Sequence, residues 1–240
     1  MVSPSSSRYK KIILKLSGQA LAGSDGEVFS PAALGTVAER VKAAAETGIR
    51  IGLVCGGGNI IRGRICGEIE IGRITADQMG MLSTVINGLA LRDALLAAGL
   101  AVRIFSSINV APLAEFYEPR VAGRALDDGN IVIFSGGTGN PFVSTDTAAV
   151  LRACDMSADA VIKATRVDGI YSADPEKDPS ARRYRQVSYD EALEKELEIM
   201  DLPAVALARE YEIPVVVFNF HRKNSLKRLL AGEEIGTVMR

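Results

Sequence analysis

Histidine is almost missing from this chain: 240 residues contain one, His221. With no clustered Cys/His ligands and this one histidine alone, neither a zinc centre nor a Ser-His-Asp triad is expected. The three cysteines, Cys55, Cys66 and Cys154, are odd in number and lack CxxC spacing. That pattern suits reduced thiols and a cytoplasmic location. Net charge is only −1 at neutral pH, so no basic excess argues for nucleic acid or a membrane surface, and neither is expected as a partner. No apolar run approaches eighteen residues, and MVSPSSSRYKK at the amino terminus has charge with no long apolar region behind it. Neither a membrane span nor an export signal is expected. Two familiar phosphate-binding signatures are also absent: GxxxxGK[ST], and GxGxxG with an acidic residue about twenty positions on.

What is present is an ordinary globular composition, 48% apolar and 24% charged, enough for one α/β domain with a sizeable core. Short β-branched runs alternate with helical patterns along the whole chain. Strands are expected at 10–16, 49–55, 100–105, 131–134, 160–164 and 214–219, with a further edge strand at 237–239. Helices are expected from Ser30-Pro31 to Gly48, from the capping box Thr75-Ala76-Asp77-Gln78 to Gly99, and at 119–126. Others follow from Ser144 to about Asp155, Ser188 to about Met200, Asp201 to Tyr211, and 225–230. The fold class is therefore α/β, a mainly parallel sheet sandwiched between helices. Residues 1–8 read as a flexible tail, and 9–240 as a single domain with two lobes.

Three strands run directly into small residues. The stretch IVIFSGGTGNPFVSTDTAA (131–149) is strand, glycine turn and helix start; LKLSG (14–18) and LVCGGGNIIRG (53–63) repeat the theme, each with a cation, Lys15 and Arg62. Glycines let backbone N–H groups approach a phosphate closely, and a following helix N-terminus favours negative charge. In an open sheet such loops share one edge and can converge on one polyanion. Phosphoryl transfer suits these residues, because it needs positioned cations and N–H donors more than covalent chemistry. An acceptor that is already an anion needs no general base. Asp146 then either orients Lys15 or contacts magnesium indirectly. Asp77, in the first turn of its helix, is equally a cap or a ligand contact. Met79 and Met81 read as core or subunit contact.

The segments KLSGQAL (15–21), GGGNIIRG (56–63), DQMGMLSTVINGLALRDAL (77–95), SGGTGNPFVSTDTAA (135–149) and KATRVDGIYSADP (163–175) closely resemble the bacterial-type uridylate kinases, a family of the amino acid kinase superfamily. The resemblance runs from about Tyr9 to the C-terminus. It implies magnesium-dependent transfer of the γ-phosphate of ATP to UMP, in a homohexamer activated by GTP and inhibited by UTP. It also implies an acceptor lobe over about 9–155 and an ATP lobe over about 156–240. Lys15, Leu16, Ser17 and Gly18 match the family's ATP-phosphate segment, and Gly58 and Arg62 its second one. Thr165, Tyr171 and Asp174 match the adenine and ribose side. Gly57 and Asp77 match UMP contacts, and Thr138, Gly139, Asn140, Pro141, Phe142, Val143, Ser144 and Thr145 match the segment around the uracil and its nucleotide. Lys15, Arg62, Asp146 and Asp201 are the implied catalytic group. For GTP the candidates are the loop Gly23, Ser24, Asp25, Gly26, Glu27 and Val28 with Arg92 and Arg103, the two arginines serving equally well as ordinary salt bridges.

Departures from the family pattern lie at Gln19, where glutamate is common, at Leu96, where a polar residue contacts GTP, and in the 23–28 loop. They bear on GTP activation and leave catalysis untouched. Two rivals stand beside this reading: a kinase acting on an amino acid carboxylate, and a non-catalytic nucleotide sensor. Thr138, Asn140 and Thr145 offer a pyrimidine edge its donors and acceptors, against the first; Lys15, Arg62 and Asp146 count against the second.

Overall fold

The structure, a computed structural model, describes residues 9–23, 26–61, 70–173, 178, 180–195, 197 and 199–240. Among these residues nine strands form one sheet: β1 Lys11–Leu16, β2 Arg50–Cys55, β3 Val102–Ser106, β4 Glu115–Phe116, β5 Ile131–Ser135, β6 Ala160–Thr165, β7 Gln186–Val187, β8 Val215–Asn219 and β9 Thr237–Met239. Their spatial order is β4-β3-β5-β2-β1-β6-β8-β9-β7. Every pairing is parallel except β8 with β9.

Helices cover both faces: α1 Pro31–Ala45, α2 Arg73–Ala97, α3 Pro119–Asp127, α4 Thr145–Met156, α5 Tyr189–Glu194, α6 Leu202–Glu210 and α7 Ser225–Leu230. Side-chain alternation along the strands divides the interior in two. Ile12, Leu14, Leu16, Ile131, Ile133 and Ile162 belong to the core on one face. Ile13, Val132, Phe134 and Val161 belong to the core on the other, beneath the alanine-rich side of α4. Lys15 and Lys163 fall by the same alternation on the α4 face, at positions where a doubly covered strand would ordinarily be apolar.

Several element limits differ from expectation. Helix α2 begins at Arg73 after an extended Gly72, so Thr75 lies inside it and the anticipated capping box does not form. The extra turn is supported by the Arg73–Asp77 pair at i,i+4 spacing, which places Asp77 in the second turn. Helix α5 ends at Glu194, well short of Met200. Beyond it Ile199 N–H donates to the Leu197 carbonyl, a turn that presents the Ile199 carbonyl to the Lys163 ammonium. Strand β9 is interior, because the two-residue β7 lies outside it. Residues 1–8, expected to form a tail, lie outside the described residues.

Candidate active site

Strands β5, β2, β1 and β6 are contiguous and parallel, so the loops at their carboxyl ends open at the same edge. The sheet is built outward in opposite directions from β1, and the crevice beside such a reversal is where open α/β sheets bind ligands. The first two turns touch backbone to backbone: a Cβ on Gly18 would stand 2.6 Å from the Gly56 carbonyl oxygen. Gly56 N–H also donates to the Leu16 carbonyl at 2.9 Å. Two asparagines fix the second turn from behind, Asn87 donating to the Gly56 carbonyl at 2.7 Å and Asn59 to the Val28 carbonyl at 2.9 Å.

Asp146 sits in the first turn of α4, where the N-cap Ser144 accepts from its backbone N–H. Its carboxylate lies between two lysines: Lys15 Nζ is 2.7 Å from one oxygen and Lys163 Nζ 2.8 Å from the other. All three side chains are largely buried. Burial raises the Asp146 pKa, but Lys15 and Lys163 outweigh it and hold the carboxyl below its ordinary range. Burial, aided by repulsion from Lys15, pulls Lys163 below an ordinary lysine against the attraction of Asp146. The Lys15 contact is a close, buried ion pair at 2.7 Å, and an ammonium has three donors, so Lys15 keeps protons for a further anion. Asp201 accepts from Ser144 N–H at 3.1 Å, Ser144 Oγ at 2.7 Å and Thr147 Oγ at 2.6 Å, bracing the start of the helix that carries Asp146.

Beside this cluster opens a cavity of about 540 Å³ whose walls include Gly57, Asp77, Met81, Thr138, Asn140 and Thr145. Gly58, Val143 and Ser144 also face it. Asp77 Oδ2 accepts from Phe142 N–H and from Arg73 Nε, both at 2.8 Å. Burial raises its pKa, and the Phe142 N–H and the guanidinium more than cancel that, leaving it below the ordinary value. Gly139 and Phe142 serve the turn itself, both with positive φ, Gly139 packed on the Ser107 carbonyl and Phe142 exposed beneath Arg73. Pro141, half-buried, joins them.

On the other side of β1, Leu16 is buried and Ser17 caps the short 3-10 turn Gly18–Leu21 by accepting from Gln19 N–H. Thr165 Oγ has one proton and lies within hydrogen-bond reach of two carbonyls, that of Val167 at 2.7 Å and that of Phe218 at 3.1 Å. Tyr171 OH donates to Asp168, whose carboxylate pairs with Arg222 at 3.1 Å and Arg183 at 3.6 Å. A second cavity, about 200 Å³, lies over Asp168, Asn219 and Arg222. Arg62 and Asp174 lie outside the described residues.

The GTP candidates are not drawn together in the same way. Arg92 pairs with Asp93 at 2.9 Å and Arg103 with Glu115, and the Arg103 guanidinium lies over Phe105. No hydrogen bond or ion pair among the described residues joins either arginine to Gly23, Gly26, Glu27 or Val28, and Ser24 and Asp25 lie outside those residues. Several members of the site escaped the sequence reading, Arg73, Gly80, Thr84 and Gly137 of the cavity wall among them. Lys163 is the important one, and its signal was present: a lysine in the interior of a strand buried on both faces. Met81, read as core or subunit contact, forms part of the cavity wall.

Comparison with known proteins gives a consistent picture. Residues 10–219 match the model of the amino acid kinase family. The uridylate kinase of Colwellia psychrerythraea is 50% identical over 231 residues, 96% of this chain and 94% of that protein. The uridylate kinase of Bacteroides thetaiotaomicron is 47% identical over 232 residues, 97% of this chain and 98% of that one. Among solved structures, UMP kinase from Bacillus anthracis superimposes with a TM-score of 0.94 at 40% identity, covering 97% of this chain and 96% of the other.

Proposed function

The chain belongs to the amino acid kinase family, and from that premise we propose how its residues carry the γ-phosphate of ATP to UMP, giving UDP and ADP in pyrimidine nucleotide biosynthesis. It is a phosphotransferase with a phosphate group as acceptor. The observation that carries the residue assignments is the buried Lys15–Asp146–Lys163 cluster on adjacent parallel strands and the helix packed on them.

The α-phosphate of UMP is already ionised and attacks without a base. Lys15 and Lys163 stabilise the negative charge on the transferring phosphoryl oxygens, with Arg62 as a third cation. Asp146 stays ionised and fixes the two ammonium groups; Asp201 holds the helix start on which Asp146 rides. The turns at Leu16, Ser17, Gly18 and Gly58 hold the ATP phosphates, and Thr165, Tyr171 and Asp174 its adenine and ribose. Gly57, Asp77 and the segment from Thr138 to Thr145 hold UMP in the larger cavity, with Asp77 on the ribose. The lobes 9–155 and 156–240 meet along this line.

A divalent metal accompanies ATP, and we assign magnesium. Among the described residues no three His, Cys, Asp or Glu side chains cluster as a cage, and both oxygens of Asp146 face lysines. This fits an ion held mainly by the nucleotide's own phosphates, as is usual for magnesium. When bound, such an ion would offset negative charge on the nucleotide's phosphates beside Lys15 and Lys163.

A homohexamer is part of the same proposal, supported by Ile74, Leu82 and Ile86, which stand about half exposed along the outward side of α2. GTP activation through the 23–28 loop, Arg92 and Arg103, UTP inhibition and a cytoplasmic location with Cys55 and Cys154 unpaired complete it. Among the described residues no helix is long and apolar enough to cross a membrane.

A coupled ADP-release assay with magnesium and ATP tests the reaction, offering UMP, CMP, dUMP, AMP, glutamate and aspartate as acceptors, with and without GTP. UMP is the expected acceptor. Turnover on an amino acid with none on UMP overturns the proposal.

A further inference from the structure

The mechanism leaves one buried charge unused. Arg152, two turns along α4 from Asp146, is only 4% exposed. One terminal nitrogen, Nη1, donates to Asp155 Oδ2 at 2.6 Å, and the guanidinium lies 3.7 Å from the centre of the Tyr117 ring. Tyr117 OH donates to the same Asp155 oxygen. These contacts neutralise and enclose the arginine. They leave Nε, buried with no hydrogen-bond partner among the described residues, and Nη2, which donates to Ser107 Oγ at 2.9 Å.

Ser107 Oγ in turn donates to the Gly137 carbonyl at 2.9 Å. The direction of this relay is fixed by chemistry. A guanidinium has no acceptor, so the serine oxygen must accept from Arg152 and its single proton is left for Gly137. Ser107 N–H is committed too, to the Ser135 carbonyl at 3.1 Å. The segment 106–108 presses on the glycine turn throughout. A Cβ on Gly136 would stand 3.0 Å from Ser107 N, and one on Gly139 3.0 Å from the Ser107 carbonyl oxygen.

Gly136, Gly137 and Gly139 all have positive φ, and with no Cβ on Gly137 the peptide that follows it meets little steric resistance to rotation from that side. The Gly137–Thr138 peptide is therefore a weak point of the turn. In a trans peptide the carbonyl and the next N–H point to opposite sides, so holding the Gly137 carbonyl on Ser107 sets the side to which Thr138 N–H is presented. Gly137 and Thr138 both line the larger cavity.

We propose that Arg152 is a positioning residue for acceptor recognition: acting through the Ser107 hydroxyl, it locks the Gly137–Thr138 peptide in the orientation that receives the pyrimidine base. The proposal rests on the reading of that cavity as the UMP site. It makes the base-binding turn answer to a buried charge on the helix that also carries Asp146.

The test is steady-state kinetics on Ser107→Ala, Arg152→Gln, Arg152→Lys and, as a control on the cavity, Asp77→Asn. Ser107→Ala removes the relay while keeping Arg152 on Asp155 and Tyr117, so it is informative even where Arg152→Gln folds poorly. Its KM for UMP should rise about tenfold, with KM for ATP within about twofold of the parent. Arg152→Gln should shift the same constant in the same direction, and Arg152→Lys, which keeps a charged donor, should recover part of the loss. If Asp77→Asn raises KM for UMP and Ser107→Ala leaves it within about twofold, the relay is overturned and the cavity assignment stands. If neither substitution moves it, the cavity assignment fails and takes the proposal with it. A fall in kcat with both KM values unchanged would also overturn it, since that marks a general loss of packing.

Discussion

Lys15 and Lys163 are register partners on adjacent parallel strands, and their ammonium groups meet on opposite oxygens of the same carboxylate, Asp146. Two like charges brought so close are stable only because the carboxylate between them is ionised. Any incoming phosphoryl group must therefore share their field with Asp146.

Removing either lysine should separate catalysis from folding to different degrees. Lys15→Ala should lower turnover about a hundredfold or more with the fold intact, because a transition-state charge contact is lost. Lys163→Ala should lower turnover comparably and also depress the thermal midpoint, since the Ile199 carbonyl loses its ammonium donor. Near-normal turnover in either variant, measured by ADP release, would contradict the assigned roles.

Asp77→Asn tests the acceptor side. The amide keeps an oxygen for Phe142 N–H but loses the charge that pairs with Arg73. KM for UMP should rise severalfold with kcat less affected. A change confined to KM for ATP would show that the two nucleotide sites are exchanged.

Gly136→Ala should be costly for a reason unrelated to charge. Its φ is +75°, and a methyl group would stand 2.9 Å from Ser106 Oγ and 3.0 Å from Ser107 N. A stability loss of about 1–3 kcal/mol is expected from the strained conformation alone. Denaturant unfolding with a midpoint unchanged from the parent would show that the turn rearranges freely.

Acid should unfold the protein through its paired carboxylates. Asp77, Asp146 and Asp168 are all held below the ordinary aspartate value; at Asp168 the Tyr171 hydroxyl is the main cause, helped by Arg183 and Arg222. A folded pKa below the unfolded one means that the unfolded chain binds more protons in between. Their stabilisation is therefore complete above about pH 4 and is lost as pH falls through the folded values. Thermal midpoints recorded from pH 6 downward should drop below about pH 4, and Asp168→Asn should flatten that limb. An unchanged slope in the variant would remove Asp168 from the account.

The fold was legible in the sequence because buried parallel strands announce themselves as β-branched runs, and glycines mark where they stop. Helix limits were less so. The start of α2 depends on Arg73 finding Asp77 one turn on, a local pair that competes with the capping box at Thr75, and the end of α5 on a turn that serves Lys163, which is a tertiary fact. Lys15 and Asp146 stood beside recognisable glycine turns, whereas Lys163 was marked only by being a charge inside the apolar run of a doubly covered strand. Arg152 and Ser107 are 45 residues apart in sequence and become partners only when α4 packs on the segment after β3.

Helix α4 has the character of a machined spacer. Asp146 at its head and Arg152 six positions later are separated along the axis by about 9 Å, a length set by helical rise and insensitive to side-chain identity. Lineages that drift toward a different base have little freedom to slide or retilt this rod, since doing so would disturb the phosphoryl end in the same stroke. Their room for invention lies in the peptide segments at its flanks, after β3 and between β5 and the helix, where a changed loop can redraw the base pocket and leave the lysines where they are.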